Sequence, residues 1–156
     1  MERVYVGAGS NLGKRAVFLD QAQALVNRLP DTRVLRSSTI YETDPVGGPP
    51  QGKYLNAVWE IETSFSPQEI KEKLREIEAK LGRRRSFDNA PREMDLDILF
   101  YGHRIVDQEG LEIPHPRLHE RLFVLEPLTE LAPDLLHPVL KKTTKELLEQ
   151  IRKNLS

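Results

Sequence analysis

"KYLNAVWEIETSFSPQEIKEKLREIEAKLG", from Lys53 to Gly82, changes its hydrophobic period halfway along. In the first part Leu55, Ala57, Trp59 and Ile61 fall on every second residue, as in a strand with one buried face; Tyr54 and Asn56 then share the other face. In the second part Ile70, Leu74, Ile77 and Leu81 recur at helical spacing. Ser66-Pro67-Gln68-Glu69 marks the switch. Serine and glutamate three apart form a capping box, proline takes the first helical position, and Gly82 suits the cap after the last turn. One segment therefore encodes a strand followed closely by a helix.

The same reading extends in both directions. Residues 3–8, "RVYVGA", are a first strand, and Phe18, Ala22, Leu25 and Leu29 predict a helix over 15–29 that Pro30 closes. "RVLRSSTIYET" (33–43) reads as one strand, and "DPVGGPPQG" (44–52) as a loop. Downstream, Arg83, Arg84 and Arg85 open a polar loop to Pro91, and "MDLDILFY" (94–101) is a strand. A turn at Gly102 returns a short partner around 104–106, and residues 114–133 form short helical pieces broken by prolines. A last amphipathic helix runs from about Thr144 to Leu155. The order β-α-β-β-α-β predicts an α+β fold. It is a ferredoxin-like α/β sandwich, with a mostly antiparallel sheet and helices packed on one face, forming one domain over residues 1–156.

Composition narrows the function classes. Hydrophobic residues make up 38% and charged residues 30%, as in an ordinary globular chain. A formal net charge of -1 gives no basic field for nonspecific nucleic-acid binding, and no apolar run is long enough to cross a bilayer. The chain has no cysteine, which excludes disulfides and thiolate metal sites and is compatible with a reducing cytoplasm.

The chemistry concentrates around "PREMDLDILFYG" (91–102). Asp95 and Asp97 lie two apart in a strand, so their side chains project the same way, about 6–7 Å apart at the backbone. Alternation then places Leu99 and Tyr101 on their face, with Met94, Leu96, Ile98 and Phe100 on the other. Two such carboxylates can hold a hard cation such as Mg²⁺, which takes one or two carboxylates and completes its shell with water and phosphate oxygens. From the pair alone, a solvated strand face or pairing with nearby arginines is the favoured reading. Arg83, Arg84, Arg85 and Arg92 offer guanidinium forks that suit phosphate oxygens; a charged surface loop is the alternative. "GAGSNLG" (7–13) has neither the dinucleotide-binding spacing nor a following Gly-Lys-Ser/Thr, so it reads as a turn in which Ser10 or Asn11 caps the next helix. Tyr54 with Asn56 could stack on a flat heterocycle while bonding its edge, and His115, Arg117 and Arg121 add donors. On residues alone, a nucleotide enzyme competes with an RNA-binding module and a ligand-sensing regulatory domain. The acidic balance and the lack of a paired aromatic strand motif weigh against RNA binding.

Four blocks taken together carry a resemblance: "GSNLG" (9–13), "YLNAV" (54–58), "APREMDLDIL" (90–99) and "PHPRLHERLFVLEPLTELAP" (114–133). In this order and spacing they closely resemble the 6-hydroxymethyl-7,8-dihydropterin pyrophosphokinases of folate synthesis. The resemblance implies pyrophosphate transfer from ATP to the pterin hydroxymethyl group with release of AMP, by a cytoplasmic monomer without nucleic-acid or membrane partners. It implies that Asp95 and Asp97 hold two Mg²⁺ ions, Asp95 also facing the pterin, and that Arg83 and Arg92 contact the phosphates around the transferred group. Arg75, Glu78, Arg85, Ile98, His115 and Arg121 fall where the family binds ATP. The pterin would lie between Tyr54 and Phe123, its edge read by Asn56 and by backbone groups of Thr43, Pro45 and Val46. Two departures stand out. Asn89 lies near the place where some members carry a loop tryptophan, and Pro116 follows His115 where some carry tyrosine.

Overall fold

A computed structural model of the chain describes residues 1–10, 15–43, 54–82 and 94–155. Four long or medium strands build the sheet: β1 (Glu2–Ser10), β2 (Thr32–Ser37), β4 (Tyr54–Thr63) and β5 (Met94–Tyr101). Their order is β2-β4-β1-β5, and a short β3 (Tyr41–Thr43) also pairs with β4. Every pairing is antiparallel. Helices α1 (Arg15–Asn27) and α2 (Pro67–Gly82) follow β1 and β4. The predicted capping box forms: the Ser66 amide donates to Glu69 Oε1 at 2.9 Å, and the Glu69 amide donates to Ser66 Oγ at 3.2 Å.

The predicted α+β sandwich is present, with one change in its layering. The stripes of α1 and α2 pack on Val4, Val6, Trp59, Ile61, Leu96 and Ile98. The opposite face is covered too, by α3 (Leu122–Leu131) and α4 (Thr144–Leu155), which pack on Tyr5, Val58, Leu99 and Phe100. Helices on one face only would have left those four apolar side chains in water; strands apolar on both faces need cover on both.

Three local expectations are corrected. First, residues 33–43 do not form one strand. Between β2 and β3, Ser38 bonds the main chain of Val58 twice, by its own amide to the carbonyl at 2.9 Å and by accepting the Val58 amide on Oγ at 2.9 Å. A serine side chain thereby replaces one rung of backbone ladder and lets the edge break. Second, the residues after Gly102 do not return along β5: Val106–Gln108 (β6) pairs with Leu111–Ile113 (β7) in a separate hairpin. Third, the β1–β5 register shifts, Tyr5 lying opposite Phe100 and Val6 opposite Ile98. Leu99 is the extra residue of this bulge, so Phe100 joins Leu99 on the α3/α4 side while Tyr101 turns to the α1/α2 side. The alternation holds from Met94 to Leu99 and inverts beyond it.

Candidate functional site

Register across three strands brings the chemistry together. Gly9 lies opposite Asn56 on one side and Asp95 on the other; Gly7 lies opposite Val58 and Asp97. Residues in register point to one face, so Asn56–Gly9–Asp95 and Val58–Gly7–Asp97 are two rows on the α3/α4 side of the sheet. Neither glycine puts a side chain in the middle of its row, and at Gly7 the Leu99 side chain fills the place, 3.3 Å from where a Cβ would stand. Over this face opens a cavity of about 670 Å³, lined by Thr43, Tyr54, Asn56, Asp95, Arg121 and Phe123 among others. A smaller one, about 260 Å³, lies between α2, the outer edge of β5 and the β6–β7 hairpin, with Lys71, Arg75, Ile98 and Glu112 on its walls. Asp97 and His115 line both. They stand at the junction of the two chambers.

The two groups at the junction are electrically matched. Asp97 is open to the cleft, yet the surrounding protein raises its carboxyl above the usual range; His115 counters this shift and Asp95 adds to it. Burial lowers the His115 imidazole, partly offset by Asp97, so the ring is neutral at neutral pH. Its Nδ1 accepts the Arg117 amide at 3.3 Å, which leaves the proton on Nε2. A neutral imidazole N–H and a carboxyl whose proton affinity is raised by burial therefore share the junction.

Neighbouring groups hold these residues in place. Asn56 donates from Nδ2 to Thr43 Oγ1 at 2.6 Å, fixing the amide so that its oxygen lies over Gly9. Glu130, near the end of α3, accepts from the Thr39 amide, the Thr39 hydroxyl and the Tyr41 hydroxyl at 2.7–2.9 Å. It ties the strand bearing Thr43 to the helix bearing Phe123. Arg121 stacks over the Phe123 ring with its guanidinium carbon 5.7 Å from the centroid.

Of the residues singled out from sequence, Thr43, Tyr54, Asn56, Asp95, Arg121 and Phe123 line the larger chamber, and Arg75 and Ile98 the smaller. Glu78 lines neither. It is 1% exposed, its Oε2 accepts the Leu96 amide at 2.7 Å, and its Oε1 lies 3.5 Å from Arg75 Nη1. Pro45, Val46, Arg83, Arg84, Arg85, Asn89 and Arg92 lie outside the described residues, as does Asn11 as a helix cap. Ser10, the other proposed cap, is the buried last residue of β1. Sequence reasoning missed the β6–β7 wall of the smaller chamber and the paired glycines of β1. The glycines had a visible signal, since glycine at alternate strand positions marks a close approach.

The donor set fits a hard divalent cation. Among the described residues no cluster of three or more His, Cys, Asp or Glu side chains could enclose a metal. Asp95 and Asp97 supply two carboxylates on one face, facing open space rather than a closed cage. That is the arrangement Mg²⁺ accepts when a substrate's phosphates complete its shell.

Known proteins are similar to this chain over most of its length. The family model described as 7,8-dihydro-6-hydroxymethylpterin-pyrophosphokinase (HPPK) matches residues 5–133. A Bacillus subtilis protein named 2-amino-4-hydroxy-6-hydroxymethyldihydropteridine pyrophosphokinase is 46% identical over 127 residues, covering 81% of this chain and 76% of its own. Its namesake from Aquifex aeolicus is 37% identical over 147 residues, covering 94% and 90%. The folic acid synthesis protein fol1 of Pneumocystis carinii is 41% identical over 150 residues; the match takes in 96% of this chain but only 20% of that longer protein. Among solved structures, Plasmodium falciparum HPPK-DHPS superimposes with a TM-score of 0.76 at 13% identity, over 99% of this chain and 44% of that one. This last likeness bears on the fold.

Proposed function

The chain belongs to the 7,8-dihydro-6-hydroxymethylpterin-pyrophosphokinase family, and from that premise we propose that it transfers pyrophosphate from ATP to the hydroxymethyl group of 6-hydroxymethyl-7,8-dihydropterin, a step of folate biosynthesis. The observation that carries this reading is the place of Asp97, which faces both chambers. A reaction between two bound molecules needs its charge-handling group where the two meet.

In this reading the pterin occupies the larger chamber between Tyr54 and Phe123, with Asn56 at its edge, and ATP occupies the smaller, along Arg75, Ile98 and His115. Because the Leu96 amide turns outward to Glu78, the main-chain groups of Ile98, two residues on, also face the free edge of β5, within reach of a nucleobase. The pterin alcohol oxygen attacks the β-phosphorus as the bond from that phosphorus to the oxygen bridging the α-phosphate breaks. The alcohol proton leaves to solvent, and AMP departs with the bridging electron pair. Asp95 and Asp97 would hold two Mg²⁺ ions, which when bound supply positive charge against the phosphate oxygens. His115 Nε2–H and the Arg121 guanidinium present donors at the junction, and Arg83, Arg85 and Arg92 complete the cationic set. Positioning and electrostatics carry most of the rate, and among the described residues none is assigned as a general base. The same reading makes the protein a cytoplasmic monomer of one domain over residues 1–156, acting on two small molecules.

The test is to incubate the protein with ATP, Mg²⁺ and the hydroxymethyl pterin and resolve the nucleotides. AMP formed only when the pterin is present is the expected result. ADP would make it an ordinary kinase, and no pterin-dependent turnover would overturn the proposal.

A further inference from the structure

We infer that His137 is a pH-sensitive latch: uncharged, its ring closes the loop that leads into α4, and taking up a proton opens that loop. His137 lines neither chamber, so the inference does not depend on the pyrophosphokinase reading.

The loop is built around one imidazole. His137 is 5% exposed, and its Nδ1 accepts the amides of Val139 at 3.2 Å and Leu140 at 3.0 Å. Pro138 has no amide to compete, so these are the first two main-chain donors beyond the ring. Around this turn the main chain closes on itself. The His137 amide donates to the Lys142 carbonyl at 2.8 Å, the Lys141 amide donates to the His137 carbonyl at 2.9 Å, and Leu136 bridges to Thr143. Thr143 then caps α4: its amide donates to Glu146 Oε1 at 2.9 Å, and the Glu146 amide donates to Thr143 Oγ1 at 3.1 Å. The closed loop therefore fixes where α4 begins. Ile151, two turns along that helix, lines the larger chamber, so the latch bears on the chamber wall from a distance.

This turn has no place for a proton on Nδ1. An N–H there would face two amide donors, and a half-turn of the ring would put a C–H in its place; either way both amides lose their acceptor. Burial also opposes the charge, holding the imidazole below its usual 6.5, and His119 from the 3-10 turn Leu118–Glu120 pushes the same way. The other neighbours bring no counter-charge. β5 presents the Phe100 ring, edge to face at 5.7 Å between centroids. Asp134, Lys141, Lys142 and Lys145 are exposed, Lys142 donates to Gln150, and Glu146 is engaged with Thr143. Opening costs little: Val139 and Leu140 are already 54% and 38% exposed, and Lys141 would leave a left-handed φ of 59°. Because the closed form holds the proton less well than the open one, closure is fully favoured above about pH 6.5 and weakens as pH falls below it.

The test is amide hydrogen exchange at about pH 7.5 and about pH 5.5, on either side of an ordinary histidine's titration, for wild type and His137→Asn. Rates are expressed as protection factors, which removes the intrinsic effect of pH on exchange. Asparagine keeps an uncharged acceptor near the place of Nδ1 and does not titrate. In wild type the Val139 and Leu140 amides should lose protection about fivefold over this interval. In His137→Asn the change should stay below about twofold. No loss in wild type overturns the latch, and so does an equal loss in both proteins, which would assign the effect to another group such as His119. A second measurement needs no variant. By NMR the wild-type His137 ring should titrate below about 6.5, and the Leu140 amide resonance should move with the same midpoint. A ring that titrates at or above that value, or a Leu140 signal that does not follow it, also overturns the inference.

Discussion

Glu78 Oε2 accepts the backbone amide of Leu96 at 2.7 Å, and Leu96 stands between Asp95 and Asp97 on the free edge of the sheet. An edge strand lacks a neighbour to fix its outer amides. Here a buried carboxylate from α2 takes that part, so the strand that presents the aspartate pair is clamped from both sides. Glu78→Ala leaves the Leu96 amide without this acceptor and should cost about 2 kcal/mol of stability. Its turnover should fall about tenfold even where the protein is fully folded, because small misplacements of charge-handling groups are expensive. Glu78→Gln, which keeps an acceptor oxygen, should recover most of both. Urea titration alongside steady-state kinetics decides it; a folded Glu78→Ala with wild-type kcat removes the positioning role.

Asp97→Ala should lower turnover about 10³-fold while leaving the fold intact, as loss of a principal electrostatic group does. In the proposed site Mg²⁺ and a non-hydrolysable ATP analogue together should raise the wild-type unfolding midpoint and leave that of Asp97→Ala nearly unmoved. Chelation with EDTA should abolish turnover, and added Mg²⁺ restore it. Activity retained by the variant in saturating Mg²⁺ counts against a metal-holding Asp97.

Glu130 joins the two walls of the larger chamber through Thr39 and Tyr41. Because the carboxylate is exposed, its removal should cost little stability, on the order of 1 kcal/mol. The effect on function should be more visible: Glu130→Ala should raise KM for the pterin about fivefold, with KM for ATP and kcat changed much less. Equal rises in both KM values would mean general loosening instead of a change in the acceptor wall.

Glu60 offers a test away from the site. It is 3% exposed and accepts from Arg3 at 2.8 Å, Arg36 at 2.6 Å and Tyr5 at 3.2 Å. Burial by itself would raise its pKa, but the hydrogen bonds from Arg36, Arg3 and Tyr5 and the Arg36 charge outweigh it, and the net shift is downward. A carboxyl depressed in the folded state stabilises the fold above its unfolded value, near 4.3, and that stabilisation disappears as pH falls through the folded value. Glu60→Gln should therefore be about 2 kcal/mol less stable at pH 7, with the difference narrowing below about pH 4. Trp59, the only tryptophan and 2% exposed, reports unfolding by fluorescence. A gap between the two proteins that stays constant to pH 3 would contradict the assignment.

Much of the architecture is legible in local patterns. The Ser66–Glu69 box, the stripe from Ile70 to Leu81 and the alternation of Leu55 to Ile61 all appear where the residue types place them. They are local because strand and helix periods follow from backbone geometry within a few residues. Leu99 was not legible: its bulge is defined only against Tyr5 and Val6, almost a hundred positions away in the chain. The strand break at Ser38 likewise depends on Val58. Glu78 was placed by family pattern among nucleotide contacts, yet its side chain points inward to Leu96, a choice no stretch of helix reveals by itself.

From its sequence alone this protein is determined to have alternating strands and amphipathic helices, an aspartate pair on one strand face, and the motif blocks of its family. Tertiary structure alone decided that helices cover both faces of the sheet, that Gly9 lies between Asn56 and Asp95, and that Asp97 meets two chambers. The division has a physical cause. Side-chain period is set by torsions along the chain, whereas register and cover are set by which distant apolar surfaces and main-chain groups satisfy one another when the strands assemble.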